Sequence, residues 1–199
     1  MLHRLAEDIT FYLITNRIID IDDREVYIYG LELLISTIFT SISILILALI
    51  IGEMPSAIIF LLIHFLLKSY TGGYHAEYYY ICYIYSLVSF IVLIFLKNII
   101  LLAYKPILGA LLLIASTIII FKFAPVTNKN NPKTDEEIAK NKKEARKRVI
   151  VLSLISIIGY LIKAELIDIW FMVAITISSI AYSILKGKIS ERGDQNEEY

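Results

Sequence analysis

The sequence holds one cysteine, Cys82, so no intramolecular disulfide can form and no oxidising compartment is implied. Histidine is almost as scarce. His3, His64 and His75 lie far apart, and with a single thiol they offer no zinc-ligand spacing, so no metal is expected. No glycine-rich phosphate loop of the P-loop type is present, and no cofactor is expected. Charge is thin as well: Asp, Glu, Lys and Arg make up 19% of 199 residues and cancel to a net charge of zero, where an average soluble domain carries roughly 25%. A cleavable signal peptide is not expected, because residues 1–20 carry Glu7, Asp8 and Asp20 and lack a continuous apolar core.

What fills the chain instead is apolar: 58% of residues are hydrophobic, and the mean hydropathy is +0.71. Most of the chain must therefore lie in lipid. The fold class that follows is all-α, a polytopic membrane protein forming one domain over residues 1–199. Residues 1–25 read as an amphipathic interfacial segment. Leu2, Leu5, Ile9, Tyr12 and Leu13 recur at helical spacing, with Arg4, Glu7, Asp8 and Thr15 off that stripe. An ordinary packing helix would give the same pattern. Apolar runs follow at 31–51, 56–67, 79–96, 99–121, 150–162 and 166–185. This makes about six membrane segments, the second short enough to be re-entrant.

Lys and Arg near the ends of the spans set the expected orientation. Residues 122–148 hold nine basic residues against four acidic ones, so this loop and its helix should face the cytoplasm. The tail, 186–199, carries Lys186, Lys188 and Arg192 and points the same way. Counting spans backwards puts residues 68–78 on that side too. Within the loop, Thr134 and Glu137 match a capping box, and Glu136–Lys140 and Glu144–Arg148 are i,i+4 pairs in the favourable order. The basic loop is explained by topology, and no nucleic-acid partner is expected.

"TGGYHAEYYYIC", residues 71–82, contains the only adjacent glycine pair and the only cysteine. A lone Cys in an apolar helix is usually inert packing. His75 alters that reading, because an ionisable group at membrane depth is a functional candidate and His is the commonest partner of a reactive thiol. Seven residues of straight helix would hold His75 and Cys82 about 10.5 Å apart along the axis. The pair can meet only if the helix starts after His75, near residue 77 or 78, and the imidazole folds back over its first turn. Gly72 and Gly73 supply the permissive backbone this requires. Cys82 then lies near a helix N-terminus, where the dipole favours a thiolate. Alternatively, His75 reaches the Cys of another subunit.

Other nearby groups have bland readings beside functional ones. Ser86 shares a helix face with Cys82, yet also reads as a span-packing serine. Lys68 is a candidate oxyanion or carboxylate partner, or simply a snorkelling lysine. Glu77 would orient the imidazole, or merely begin a helix. His64 reads as a packing histidine, and Lys105–Pro106 as a snorkelling lysine and a kink. The tyrosines at 70, 74, 78, 79, 80, 83 and 85 suit an interfacial belt or a peptide groove.

The stretch "KSYTGGYHAEYYYICYIYS" (68–86) resembles the signature of the AgrB family, accessory gene regulator protein B. Chain length, an amphipathic start, multiple spans and an "AP…N…P" basic loop after the fourth run extend the resemblance over most of the chain. The resemblance implies a multi-pass cysteine endopeptidase of bacterial quorum sensing in the cytoplasmic membrane. It assigns His75 and Cys82 as the catalytic dyad, near the cytoplasmic face, and Gly73 to the family's turn. The basic position that opens the motif, often Arg, is Lys68 here. The implied partner is an AgrD-like precursor, a short membrane-associated peptide. Its carboxy-terminal tail is removed, and the remaining carboxyl is joined to an internal side chain as a thiolactone or lactone. Tyrosine- and serine-bearing helix faces leave room for a homodimer. The alternative is a non-catalytic membrane protein that binds or exports a peptide, with Cys82 as packing.

Overall fold

The computed structural model describes residues 2–73, 79–126 and 133–197, without the side chains of Tyr79 and of residues 190–197. Among the described residues there are seven helices and no strand, because in lipid a helix alone satisfies its backbone within one segment. They are α1 (Leu2–Thr15), α2 (Arg24–Ile51), α3, α4 (Tyr79–Ile99), α5 (Lys105–Phe123), α6 (Asp135–Ile162) and α7 (Ile167–Glu197). α3 is composite: an α-helical stretch, Met54–Ile63, passes into a π-helical one, His64–Lys68, and ends in the turn Ser69–Thr71. The chain is an all-α membrane protein. Five stretches are long and apolar enough to cross a bilayer: Ile21–Ile51, Met54–Thr71, Tyr80–Ile99, Leu102–Phe123 and Ala164–Ile189.

Two segments differ from the sequence expectation. The second, expected over 56–67 and short enough to turn back, runs from Met54 to Thr71, long and apolar enough to cross a bilayer. The apolar half of α6, residues 150–162, spans only about 20 Å, short of the roughly 30 Å of hydrocarbon. It continues a charged half that begins at the Thr134 capping box, where the Glu137 amide donates to Thr134 Oγ1 at 3.3 Å and the Thr134 amide donates to Glu137 at 3.0 Å.

α7 is the central helix and packs against α3, α4, α5 and α6. Its Ile177, Ile180, Ala181 and Ile184 are buried with Leu67, Ile120 and Val149. Met172 and Ile175 bury against Phe60 and Phe90 of α3 and α4. Ile38, Ile46 and Leu49 of α2 and Ile114 and Ile118 of α5 stay exposed, as lipid-facing side chains must.

α1 does both things its pattern allowed. Ala6 and Thr10 bury against α2, while Phe11 and Tyr12 stay exposed. Arg24 donates to Glu7 at 2.9 Å, and the His3 imidazole donates to Glu32 at 2.7 Å. α1 thus serves the polar residues at the start of α2, and the helix begins well before the apolar run at 31.

At the end of the bundle away from Gly72 and Gly73, ion pairs pin the helix termini. Gly52, in the left-handed region at φ 74°, closes α2. Lys97 of α4 donates to Glu53 at 2.5 Å and to Ser56 at 3.1 Å, and Ser56 donates to Glu53 at 2.7 Å. Lys105 is buried and bonded to Asp168, rather than snorkelling, and Pro106 occupies the first turn of α5, where its missing N–H costs nothing and no kink results.

Burial works to raise the Glu53 carboxyl, but the hydrogen bonds from Lys97 and Ser56 and the Lys97 charge outweigh it and hold the group below the usual carboxylate range. A depressed folded value means that the pair stabilises the fold above that range and is lost as pH falls through it. Removing one partner of a buried pair costs about 3–5 kcal/mol, so Lys97→Met should lower the unfolding midpoint in detergent by roughly 5–15 °C. Its further loss of stability on acidification should be smaller than that of the wild type, since without the cation Glu53 is no longer held as far below its unfolded value. Thermal scans of both proteins from pH 3 to 7 check this.

Candidate active site

The site is built where α3 ends and α4 begins. In the π-helical stretch of α3 the i→i+5 pattern takes one more residue per turn, a device frequent at functional sites. A cation from α6 secures it: Arg148 donates to the Leu66 carbonyl at 3.1 Å and lies 4.0 Å over the Tyr70 ring. Glu144 accepts from the same guanidinium at 3.4 Å, so the i,i+4 pair read from the sequence forms, but as the brace of a longer-range contact. Arg146 donates to the carbonyl of Phe121 at 2.8 Å, tying α6 to the end of α5.

After Thr71 the chain turns on glycine. Gly72 has φ 64° and Gly73 φ 144°, both on the side that L side chains rarely adopt. The Val126 amide donates to the Thr71 carbonyl at 2.9 Å. A Cβ on Gly72 would lie 2.2 Å from the Val126 carbonyl oxygen, and one on Gly73 would lie 2.8 Å from Ser183 Oγ of α7. Two other elements therefore close on this turn with no room for a methyl group.

The expected His75 and Glu77 lie outside the described residues, as do Tyr74 and Tyr78. The described part of α4 begins at Tyr79, and Cys82 lies three residues on, half-buried and free of any disulfide. Ser86 donates to the Cys82 carbonyl at 2.9 Å, so it braces the backbone at the thiol. Tyr83 donates to Ser43 of α2 at 3.3 Å and packs on Phe39, with ring centroids 5.3 Å apart. Lys186 of α7 lies 5.2 Å from the Tyr85 ring centroid. Tyr80 is exposed. The described tyrosines thus divide between an outward position, Tyr80, and anchors: Tyr83 and Tyr85 tie α4 to α2 and α7, and Tyr70 ties the end of α3 to α6.

Beside this turn, α3, α4 and α7 line a narrow cleft with room for about one water molecule. Lys68, His64, Tyr85, Ser86, Ser179 and Ser183 are on its wall. The structure thus brings Lys68 and Ser86 of the sequence-derived set to one cleft, with Gly73 against its Ser183 rim. His64 packs as the sequence suggests, its ring 4.1 Å from that of Phe60 and its Nδ1 donating to the Phe60 carbonyl at 3.0 Å, but it also borders the cleft. Sequence reasoning missed Arg148 and the serines of α7. Arg148 was visible only as the partner of Glu144 at the mouth of an apolar run, and the serines only as hydroxyls in a span.

The accessory gene regulator B family model matches residues 6–186. Among curated relatives, an AgrB-like protein 2 of Clostridium perfringens strain 13 is 30% identical over 181 residues, covering 82% of this chain and 83% of that one. An AgrB-like protein of Clostridium perfringens strain SM101 is 29% identical over 188 residues, covering 84% of this chain and 86% of its own. No solved structure is significantly similar to this chain.

Proposed function

The chain belongs to the accessory gene regulator B family of quorum sensing, and on that premise we propose that it is a membrane cysteine endopeptidase that matures a short AgrD-like precursor. The observation that carries this reading is the position of the single thiol. Cys82 stands near the start of the described part of α4, half-buried, with its carbonyl accepting from Ser86 and the packed Gly72–Gly73 turn nine and ten residues before it.

In the proposed reaction the Cys82 sulfur bonds to the scissile carbonyl carbon as His75 takes the thiol proton. The carbon–nitrogen bond then breaks, the proton passes from His75 to the leaving amine, and a thioester remains. A side-chain thiol or hydroxyl of the peptide attacks that thioester, giving its proton to His75. The carbon–sulfur bond breaks, the ring closes as a thiolactone or lactone, and Cys82 is regenerated. Water is the competing nucleophile, so a site recessed against lipid favours cyclisation by excluding it. The basic residues of 122–148 and 186–199 support a cytoplasmic-membrane location with this end of the bundle inward.

Incubating purified, detergent-solubilised protein with its precursor and reading intact mass tests the proposal. The wild type should carry a covalent adduct equal to the peptide minus its tail. Cys82→Ala should carry none, and His75→Ala should acylate about 10²–10⁴-fold more slowly. A precursor that binds without adduct or cleavage in any variant would leave a binding or export role instead.

A further inference from the structure

A shallow, open groove of about 410 Å³ runs over the last turns of α5, lined by Thr117, Ile118, Phe121 and Lys122. Positions i, i+1, i+4 and i+5 form one continuous strip of helix surface, here about 7.5 Å long. Ile118 is exposed on this strip and lies within the candidate span Leu102–Phe123, so the floor of the groove faces hydrocarbon. Lys122 is exposed at the end of the span, with its ammonium 5.3 Å from the Phe123 ring centroid. The strip therefore runs from a cation at the membrane edge into the apolar layer.

More positive charge comes from α6. Arg146 donates to the Phe121 carbonyl at 2.8 Å, and its guanidinium lies 5.1 Å from the Phe121 ring centroid. Lys142, exposed, stands one turn earlier on the same face of α6. Glu144 does not share that face: it lies about 200° round the axis from Arg146 and accepts from Arg148 on the other flank. The rule that cytoplasmic ends of spans are basic accounts for cations on these two helices. It does not account for their gathering at the polar end of a lipid-facing groove.

A cationic head on an apolar strip matches the two parts of one phospholipid. A soluble peptide would have to cover Ile118, which stands in hydrocarbon, and a free anion would leave the strip unused. We propose that this groove binds an anionic phospholipid, with its phosphate held by Lys122, Arg146 and Lys142 and one acyl chain laid along Thr117, Ile118 and Phe121. A zwitterionic lipid offers the same acyl chain but cancels the headgroup charge, so the site selects by headgroup. The bound lipid bridges α5 and α6, and it does so whether or not Cys82 is a nucleophile.

The test titrates delipidated full-length protein in detergent with dioleoyl phosphatidylglycerol or dioleoyl phosphatidylcholine, read by native mass spectrometry. One phosphatidylglycerol should bind at least tenfold more tightly than phosphatidylcholine. Lys122→Gln and Lys142→Gln should each weaken it about fivefold. Lys147→Gln removes the same charge from the residue after Arg146, off the Arg146 face, and should change Kd less than twofold. All three lysines are exposed, so these variants should fold. Ile118→Trp fills the apolar floor and should weaken phosphatidylglycerol at least about fourfold, the equivalent of one displaced methylene. Equal affinity for the two lipids, or a loss in Lys147→Gln as large as in Lys122→Gln, would reduce the cluster to diffuse surface charge and overturn the site. Displacement of the lipid by equimolar inorganic phosphate, with Ile118→Trp binding like the wild type, would overturn the lipid and leave an anion site.

Discussion

Gly72→Ala should slow acylation of Cys82 by about a hundredfold or more while leaving the helices assembled in the membrane. The new Cβ would stand 2.2 Å from the Val126 carbonyl oxygen, in a backbone at φ 64° and ψ −145°. Neither fault can be relieved locally. Rotating the residue to negative φ removes the turn, and moving Val126 breaks its amide's hydrogen bond to Thr71. The connection from α3 into α4 must shift instead, and a displacement of about 1 Å at a reacting group is enough for a loss of that size. Gly52→Ala is the control: it is also left-handed, at φ 74°, but open space surrounds it. It should cost stability alone, about 1–2 kcal/mol, and no activity. Rates of adduct formation by mass and unfolding midpoints in detergent separate the two variants. An equal loss of activity in both would mean that the Gly72 turn has no special place in the site.

Local features of this fold were legible in the residues. The Thr134–Glu137 box and the turn at Gly72 and Gly73 each depend on neighbours within a few positions. The apolar runs found the spans because hydrocarbon thickness imposes a length. Which helix faces pack was not legible. In lipid an exposed Ile46 and a buried Ile44 are equally at ease, so hydrophobic periodicity does not separate inside from outside. The contacts that shape the site are also distant in sequence. Arg148 reaches the Leu66 carbonyl across 82 positions, and Ser183 closes on Gly73 from the last helix. The π-helical stretch that carries His64 and Lys68 has no local signature, because it depends on that Arg148 brace. Lys105 looked like a snorkelling residue for the same reason: its partner, Asp168, stands 63 positions away.

Cys82→Ser should separate chemistry from binding more sharply than any other substitution. The side chains differ by one atom, and the interactions that hold this turn belong to its neighbours: Ser86 on the Cys82 carbonyl, and Tyr83 on Ser43. The variant should therefore fold and bind precursor with a Kd within about twofold of the parent. Its turnover should fall at least about a thousandfold. A cysteine is a few per cent thiolate near neutral pH and is intrinsically nucleophilic, whereas a serine hydroxyl needs a base and an oxyanion site tuned to it. The serine ester, if it forms at all, would also pass its acyl group to the peptide's internal nucleophile more slowly than a thioester does. Titrating labelled precursor and following product mass on one preparation measures both quantities. Turnover retained within tenfold would remove Cys82 from the chemistry, whereas lost turnover with intact binding identifies the sulfur as the attacking atom.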